Sequence, residues 1–231
     1  MDQVLVFIPS YGDWKALPRL AAEVEALGSH YVVLILDDGS PHAIQPPARC
    51  LFMRMAANFG LGICTEIAFL HAATHGYRAL VRIDADGQHD VADVPRLLAE
   101  LENGADLAVG LRVNQPVEWT TLGVGRWLVK AYLSLIARTL TLGRAPVDIC
   151  SGLFAINQTT IAALRDSKFE RYPEPELYVS AARAGARIAS VMVHQHSRAV
   201  GRSTLGATSA LRLLFRFNVF ALGQFFRRPW F

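Results

Sequence analysis

Short, largely apolar runs alternate with segments of helical length through the first half of the chain. Val4–Ile8, Tyr31–Leu36, Leu51–Met55, Ala79–Ile83 and Leu107–Leu111 have the length and character of strands. Between them, Ala16–Leu27, Gly62–His75 and Val91–Asn103 read as helices. Pro18 is tolerated in the first turn of the first helix, and Gly28 stops it. Gly76 is placed to cap the second, and Asp90 to cap the start of the third. Strand–helix alternation at this spacing predicts an α/β fold, a Rossmann-like and mostly parallel sheet flanked by helices on both faces. Ligands of such sheets bind at the carboxyl ends of the strands.

The polar motifs fall on that edge. Pro9-Ser10-Tyr11 follows the first strand, Asp37-Asp38-Gly39-Ser40 the second, Asn58 the third, Asp84-Ala85-Asp86-Gly87-Gln88-His89 the fourth and Arg112 the fifth. The second half is less regular. Gly123–Leu142 and Glu176–Ala184 are predicted helices, Arg187–His194 a strand, and Val147–Asn157 carries Asp148, Ser151 and Gly152. No repeat or long linker divides the chain. Residues 1–207 are expected to form one domain, followed by an amphipathic helix within 208–231.

Composition narrows the function classes. The chain has 231 residues, within reach of a single core, and 52% of them are hydrophobic. A net charge of +3 without a long basic tract gives nucleic-acid binding no support. The cysteines, Cys50, Cys64 and Cys150, lack CxxC spacing and are expected to be small hydrophobes rather than zinc ligands or a disulfide framework. Met1-Asp2-Gln3 lacks the basic start of a signal peptide, so a cytoplasmic location is expected.

Asp84 and Asp86, two residues apart past a strand end, can converge on one cation, with Gln88 as a further oxygen ligand. Oxygen sets of this kind suit Mg2+ or Mn2+ shared with substrate phosphates. Alone, such a pair also describes a solvated acidic turn. Asp37-Asp38 can receive a nucleobase imide or ribose hydroxyl, or can simply build a turn. Asn58-Phe59-Gly60-Leu61-Gly62 lacks both the full dinucleotide glycine spacing and a Walker lysine. Glu174 and Glu176 are candidates for a general base or for the start of a helix. Arg198-Ala199-Val200-Gly201-Arg202-Ser203-Thr204 offers guanidinium groups and hydroxyls suited to phosphates.

As an ordered set, these motifs resemble the family 2 glycosyltransferases of GT-A fold, most of all the polyprenol-phosphate (dolichol-phosphate mannose synthase-like) branch. The resemblance runs from Pro9 to about Thr204. It implies an inverting glycosyltransferase that uses a nucleotide-sugar donor, GDP- or UDP-linked. Pro9, Tyr11 and Asp13 would line the nucleoside pocket, joined by Asp37, Asp38 and Asn58. Asp84, Ala85, Asp86 and Gln88 would form the metal–diphosphate turn, with Asp84, Asp86 and Gln88 on the metal. Arg112, Arg126 and Arg198 would manage donor and acceptor phosphates, and Glu176 would stand on the acceptor side. The chain departs from the family pattern at Tyr11-Gly12-Asp13, where Tyr-Asn-Glu is usual, and at Asp90, where proline is frequent.

Leu211–Phe226 is apolar around most of its surface, with Arg212, Arg216 and Arg227 in one stripe at 100° per residue. It is shorter than the roughly 20 residues that span a bilayer. Arg227-Arg228-Pro229-Trp230-Phe231 has the composition of an interfacial anchor. These features predict a helix lying on the cytoplasmic membrane face, and an acceptor such as polyprenyl phosphate. Docking on the protein's own core or on a second copy of the chain is the alternative for the helix. A sugar hydroxyl of a cell-surface glycan is the alternative acceptor, and a degenerate membrane scaffold the non-enzymatic alternative.

Overall fold

The computed structural model describes residues 3–12, 14–42, 44–112, 121–194 and 207–226, without the side chains of 121, 122, 126 and 207–209. Seven strands form one sheet: β1 (Val4–Ser10), β2 (Tyr31–Asp37), β3 (Leu51–Arg54), β4 (Ala79–Arg82), β5 (Leu107–Arg112), β6 (Phe154–Asn157) and β7 (Ile188–Val193). Their spatial order is β3-β2-β1-β4-β6-β5-β7. All pairings are parallel except those of β6, which runs antiparallel to both β4 and β5.

The central strands are apolar throughout because both faces are covered. Val4, Val6, Ile8, Val33, Ile35, Ala79 and Val81 face α1 (Leu17–Leu27) and α3 (Asp93–Glu102) through Leu17, Leu20, Val24, Val94 and Leu97. Leu5, Phe7, Leu34, Leu36, Leu80 and Phe154 face the other layer. That layer holds α2 (Leu61–His75), α4 (Thr121–Leu140), α6 (Glu174–Arg183) and α7 (Ala207–Phe226), which contribute Phe69, Leu133, Leu177 and Phe217. The two sets alternate along each strand, the period-2 signature of the pleat.

Three local expectations change. Asp90 does not cap α3: its carboxylate accepts the Ala92 N–H at 2.9 Å inside a tight turn, and the helix begins only at Asp93. Helix α6 begins at Glu174 rather than Glu176, since Pro175 fits its first turn, so both glutamates sit at its N-terminus. Strand β6 and the short α5 (Gln158–Ala163), capped by the Asn157 side chain, were not foreseen. The reversal of β6 matters most. An antiparallel strand brings the residues before it, Asp148 to Gly152, to the edge where parallel strands end.

Helix α7 packs on α4 and α6 through Leu213, Phe217, Ala221 and Gln224, all buried. Tyr132 of α4 donates to Asn218 Oδ1 at 2.7 Å, and Arg216 pairs with Glu170. The helix is therefore docked on the protein's own core, while Leu211, Phe215, Val219, Leu222 and Phe226 remain exposed on the side away from it.

Candidate active site

The ends of β1 and β2 are tied to each other. Asp37, fully buried, accepts hydrogen bonds at Oδ1 from the Ser40 N–H at 3.1 Å and from its hydroxyl at 2.5 Å. Ser40 Oγ in turn accepts the Gly12 N–H at 2.8 Å, linking the two loops. Asp37 Oδ2 lies 3.5 Å from Arg54 Nε and has no hydrogen-bond partner among the described residues. Asp38 serves the next loop: Oδ1 accepts the Phe59 N–H at 2.8 Å, and Oδ2 the Gly60 N–H at 2.9 Å and Asn58 Nδ2 at 3.0 Å. Asn58 Oδ1 accepts from Arg171. Gly39 stands between the two aspartates' loops at φ +70°, where a Cβ would come within 2.5 Å of the Ala57 carbonyl carbon. These hydrogen bonds tie together the loops at the ends of β1 and β2. Pro9 pairs with Leu36 in the sheet, and Tyr11 in the loop that follows is 49% exposed.

The end of β4 holds the densest charge. Arg82, inside the strand and 1% exposed, contacts Asp84 Oδ1 at 2.7 Å and Glu174 Oε1 at 2.8 Å. Burial opposes its charge, but the Asp84 and Glu174 carboxylates outweigh that, so it stays protonated. Burial likewise opposes ionisation of Asp84, yet Arg82 and His89 hold its carboxyl well below the usual range. His89 Nε2 lies 3.6 Å from Asp84 Oδ2. Gly152 backs the same carboxylate so closely that a Cβ there would sit 2.2 Å from Oδ2. Ala85 is buried beneath the turn, and Asp86 Oδ1 accepts the Gln88 N–H at 3.0 Å, closing it.

Beside this lies a second charged cluster. Arg112 at the end of β5 grips Asp148 with both arms, at 2.6 and 2.8 Å, and Lys130 of α4 reaches the same carboxylate at 3.0 Å. Burial pushes the Asp148 carboxyl up, but Arg112 and Lys130 draw it below its ordinary value. Two cations on one carboxylate leave a local positive charge. Glu176, 3% exposed, accepts the Glu170 N–H at 2.8 Å. Burial first, and Glu174 second, raise its carboxyl to about 8.

The structure therefore gathers Pro9, Tyr11, Asp37, Asp38, Asn58, Asp84, Ala85, Asp86, Gln88, Arg112 and Glu176 along one edge of the fold. Asp13, the Arg126 side chain and Arg198 lie outside the described residues, as do the rest of the 198–204 motif and the tail from Arg227. Arg82 was missed by sequence reasoning. A signal existed, since a guanidinium within a strand buried on both faces needs a partner. Among the described residues, no three His, Cys, Asp or Glu side chains form a closed metal cage. Asp84, Asp86 and Gln88 place three oxygen-bearing side chains in one turn, the donor chemistry that hard cations take.

An acidic turn past a strand end, linked loops at the neighbouring strand ends and a basic cluster beside them share one edge of the sheet. Residues 5–170 match the model of glycosyl transferase family 2, and the chain belongs to that family. It is 29% identical over 218 residues to the undecaprenyl-phosphate mannosyltransferase of Micrococcus luteus, covering 88% of this chain and 87% of that one. It is 34% identical over 120 residues to the polyprenol monophosphomannose synthase of Mycolicibacterium smegmatis, covering 48% of this chain and 45% of the relative. The chain thus spans less than half of the latter's length. Glucosyl-3-phosphoglycerate synthase of Mycobacterium tuberculosis, solved with phosphoglyceric acid, superposes with a TM-score of 0.67. Its sequence identity is 17%, and the match covers 96% of this chain and 80% of that one, a likeness of fold.

Proposed function

We propose that the chain is a metal-dependent, inverting glycosyltransferase that carries a sugar from a GDP- or UDP-sugar to a polyprenyl phosphate at the cytoplasmic membrane face. The carrying observation is the acidic turn Asp84–Gln88 standing beside the Arg112–Asp148–Lys130 cluster. One region offers oxygen ligands and the other a positive charge, as a diphosphate donor and a phosphate acceptor require. The names of the relatives support this acceptor class. A bound Mg2+ or Mn2+ held by Asp84, Asp86 and Gln88 would neutralise the leaving diphosphate. Pro9, Tyr11 and Asp13 would receive the nucleoside, together with Asp37, Asp38 and Asn58. Arg112, Arg126 and Arg198 would face phosphates.

The carboxylates on the acceptor side favour a phosphate over a sugar hydroxyl. A hydroxyl must lose a proton as it attacks and needs a base within reach. Asp148 is neutralised by two cations, and Glu176 is buried against the Glu170 N–H. A phosphate acceptor is already ionised near neutral pH, so neither group has to act as a base.

The membrane side is supported by α4 and α7 together. The described part of neither helix contains an acidic residue. Trp127, Leu128 and Leu135 of α4 are exposed, as are Leu211, Phe215, Val219, Leu222 and Phe226 of α7. At 100° per residue, Leu128 and Leu135 lie on the side of α4 towards Tyr132, which touches α7. The outer apolar faces therefore adjoin, with Arg212 and Arg216 along one margin. Among the described residues no helix is long and apolar enough to cross a membrane, and a surface of this kind suits lying on one.

A panel of nucleotide sugars, incubated with Mg2+ or Mn2+ and membrane lipid extract, tests the transfer. Label moving to lipid is expected. Label moving only to water-soluble glycans would favour a hydroxyl acceptor, and no transfer from any donor would favour a scaffold. Asp86→Ala should lower turnover by about 10²–10³-fold with an unchanged circular dichroism spectrum; an active variant would contradict the metal assignment.

A further inference from the structure

Arg82 is a buried cation within a central strand and has no place in the roles outlined above. It sits within β4, 1% exposed, opposite Phe154 of β6. Its guanidinium carbon lies 5.9 Å from the centre of the Phe154 ring. One arm meets Asp84 Oδ1 at 2.7 Å, and the other meets Glu174 Oε1 at 2.8 Å at the head of α6. Neither its Nε nor the Nη1 arm facing Glu174 makes a hydrogen bond of good geometry among the described residues, so the Glu174 contact is an ion pair. Apolar side chains of similar volume in place of a whole buried set of paired charges are often neutral or stabilising, because no charge then has to be desolvated. The buried arginine therefore calls for a role other than stability.

The far side of Asp84 is also fixed. Gly152 leaves no room behind Oδ2, and His89, 2% exposed, stands 3.6 Å from it. Arg82, Gly152 and His89 thus border this carboxylate on three sides. We propose that Arg82 and Glu174 are positioning residues: Glu174 holds the guanidinium, and the guanidinium holds the Asp84 carboxylate in the orientation that the metal–diphosphate turn requires. This rests on the metal reading of Asp84–Gln88. Groups behind a metal-side carboxylate commonly set its direction, and their loss weakens metal affinity by about 10–100-fold. The arrangement also joins α6, on the acceptor side, to the donor turn through a single side chain.

A purely structural role makes a different prediction from a positioning role, and paired variants separate them. Arg82→Met leaves Glu174 buried without its cation and should melt well below wild type. Adding Glu174→Gln removes that stranded charge, so the double variant should recover most of the melting temperature. Mn2+ binding is then followed by electron paramagnetic resonance, with GDP or UDP present, in wild type and in both variants. Positioning predicts Mn2+ affinity at least about tenfold weaker in the single and double variants alike. A double variant that binds Mn2+ within about twofold of wild type would overturn the relay.

Should the double variant fail to fold, Arg82→Lys gives the second test. It keeps a buried cation but replaces the planar two-armed fork with a single point charge on a shorter reach. The same loss of Mn2+ affinity is expected, and wild-type affinity would again refute the proposal. If the wild-type protein binds no Mn2+ with either nucleotide, the metal reading itself fails and takes the relay with it. That outcome is distinct from a double variant matching a Mn2+-binding wild type.

Discussion

The end of β4 and the outer face of α7 break the usual rule of burial in opposite directions. At β4 a guanidinium and the Glu174 carboxylate are taken out of water beside a partly exposed Asp84, and each charge finds a partner within 2.8 Å. On α7, Phe215 and Phe226 are left 69% and 77% exposed, although Phe217 two positions along is fully buried. The first region gives up solvation for a fixed geometry. The second leaves apolar surface exposed to water, on the face proposed above to lie on a membrane.

Gly152→Ala should break the first region most severely. The added Cβ falls 2.2 Å from Asp84 Oδ2 and 2.8 Å from its carboxyl carbon, so the Asp84 side chain must give way. The carboxylate has to swing away from Arg82. A loss of turnover of about 10²-fold or more is expected, the scale seen when a donor to a developing charge is lost. Steady-state kinetics on a folded variant measure it, and near-normal turnover would show that Asp84 has room the structure does not reveal.

The second region is sharpened by contrasting two faces of one helix. Phe217→Ala opens a cavity between α7 and the core and should cost about 3–5 kcal/mol of folding stability. Phe215→Ser with Leu222→Ser alters only exposed positions and should change stability by about 0.5 kcal/mol or less per site. The same pair should markedly weaken flotation with vesicles containing phosphatidylglycerol, because each apolar side chain withdrawn from water is worth about 1.5–3 kcal/mol. Unchanged flotation would remove the membrane role from this face. A shift from dimer to monomer in the variant would assign the face to a second copy instead.

Legibility in the sequence follows the same division. The parallel core was readable because each apolar run is followed by a helical segment, and this period forces the motifs at Ser10, Asp37 and Asp84 onto one edge. Strand β6 was not readable. Leu153-Phe154-Ala155-Ile156 is a short apolar run, and nothing in it encodes direction; pairing with Ala79–Arg82 and Leu107–Val109 sets that. The position of Asp148 against Arg112 depends on this reversal, so the basic cluster was hidden too. Asp38 and Asn58 were legible as site residues, but the backbone N–H groups that Asp38 accepts from Phe59 and Gly60 are visible only in three dimensions. For α7, a helix apolar nearly all round does not declare which side is core. Phe217 and Phe215 are chemically identical, and only packing tells them apart.

The finest comparison is between the two glutamates at the head of α6. Glu174 has Arg82 at 2.8 Å, whereas the group accepted by Glu176 is the uncharged Glu170 N–H. Burial and the neighbouring Glu174 raise the Glu176 carboxyl from an ordinary 4.5 to about 8. Above pH 4.5 the unfolded chain releases this proton, while the folded chain keeps it until about 8. The folded state binds more protons in that window, so stability must fall as pH rises through it. The contribution is complete below 4.5 and lost by the time pH passes 8. Glu176→Gln carries the neutral form at every pH and retains an oxygen to accept the Glu170 N–H. Its melting temperature should match wild type near pH 4.5 and exceed it increasingly towards pH 8, while Glu174→Gln, which unpairs Arg82, should melt lower than wild type at neutral pH. Thermal melts of the three proteins across this range decide the matter. Parallel curves for wild type and Glu176→Gln would mean that Glu176 is ionised in the fold, and a charged Glu176 would return it to candidacy as a base for a hydroxyl acceptor.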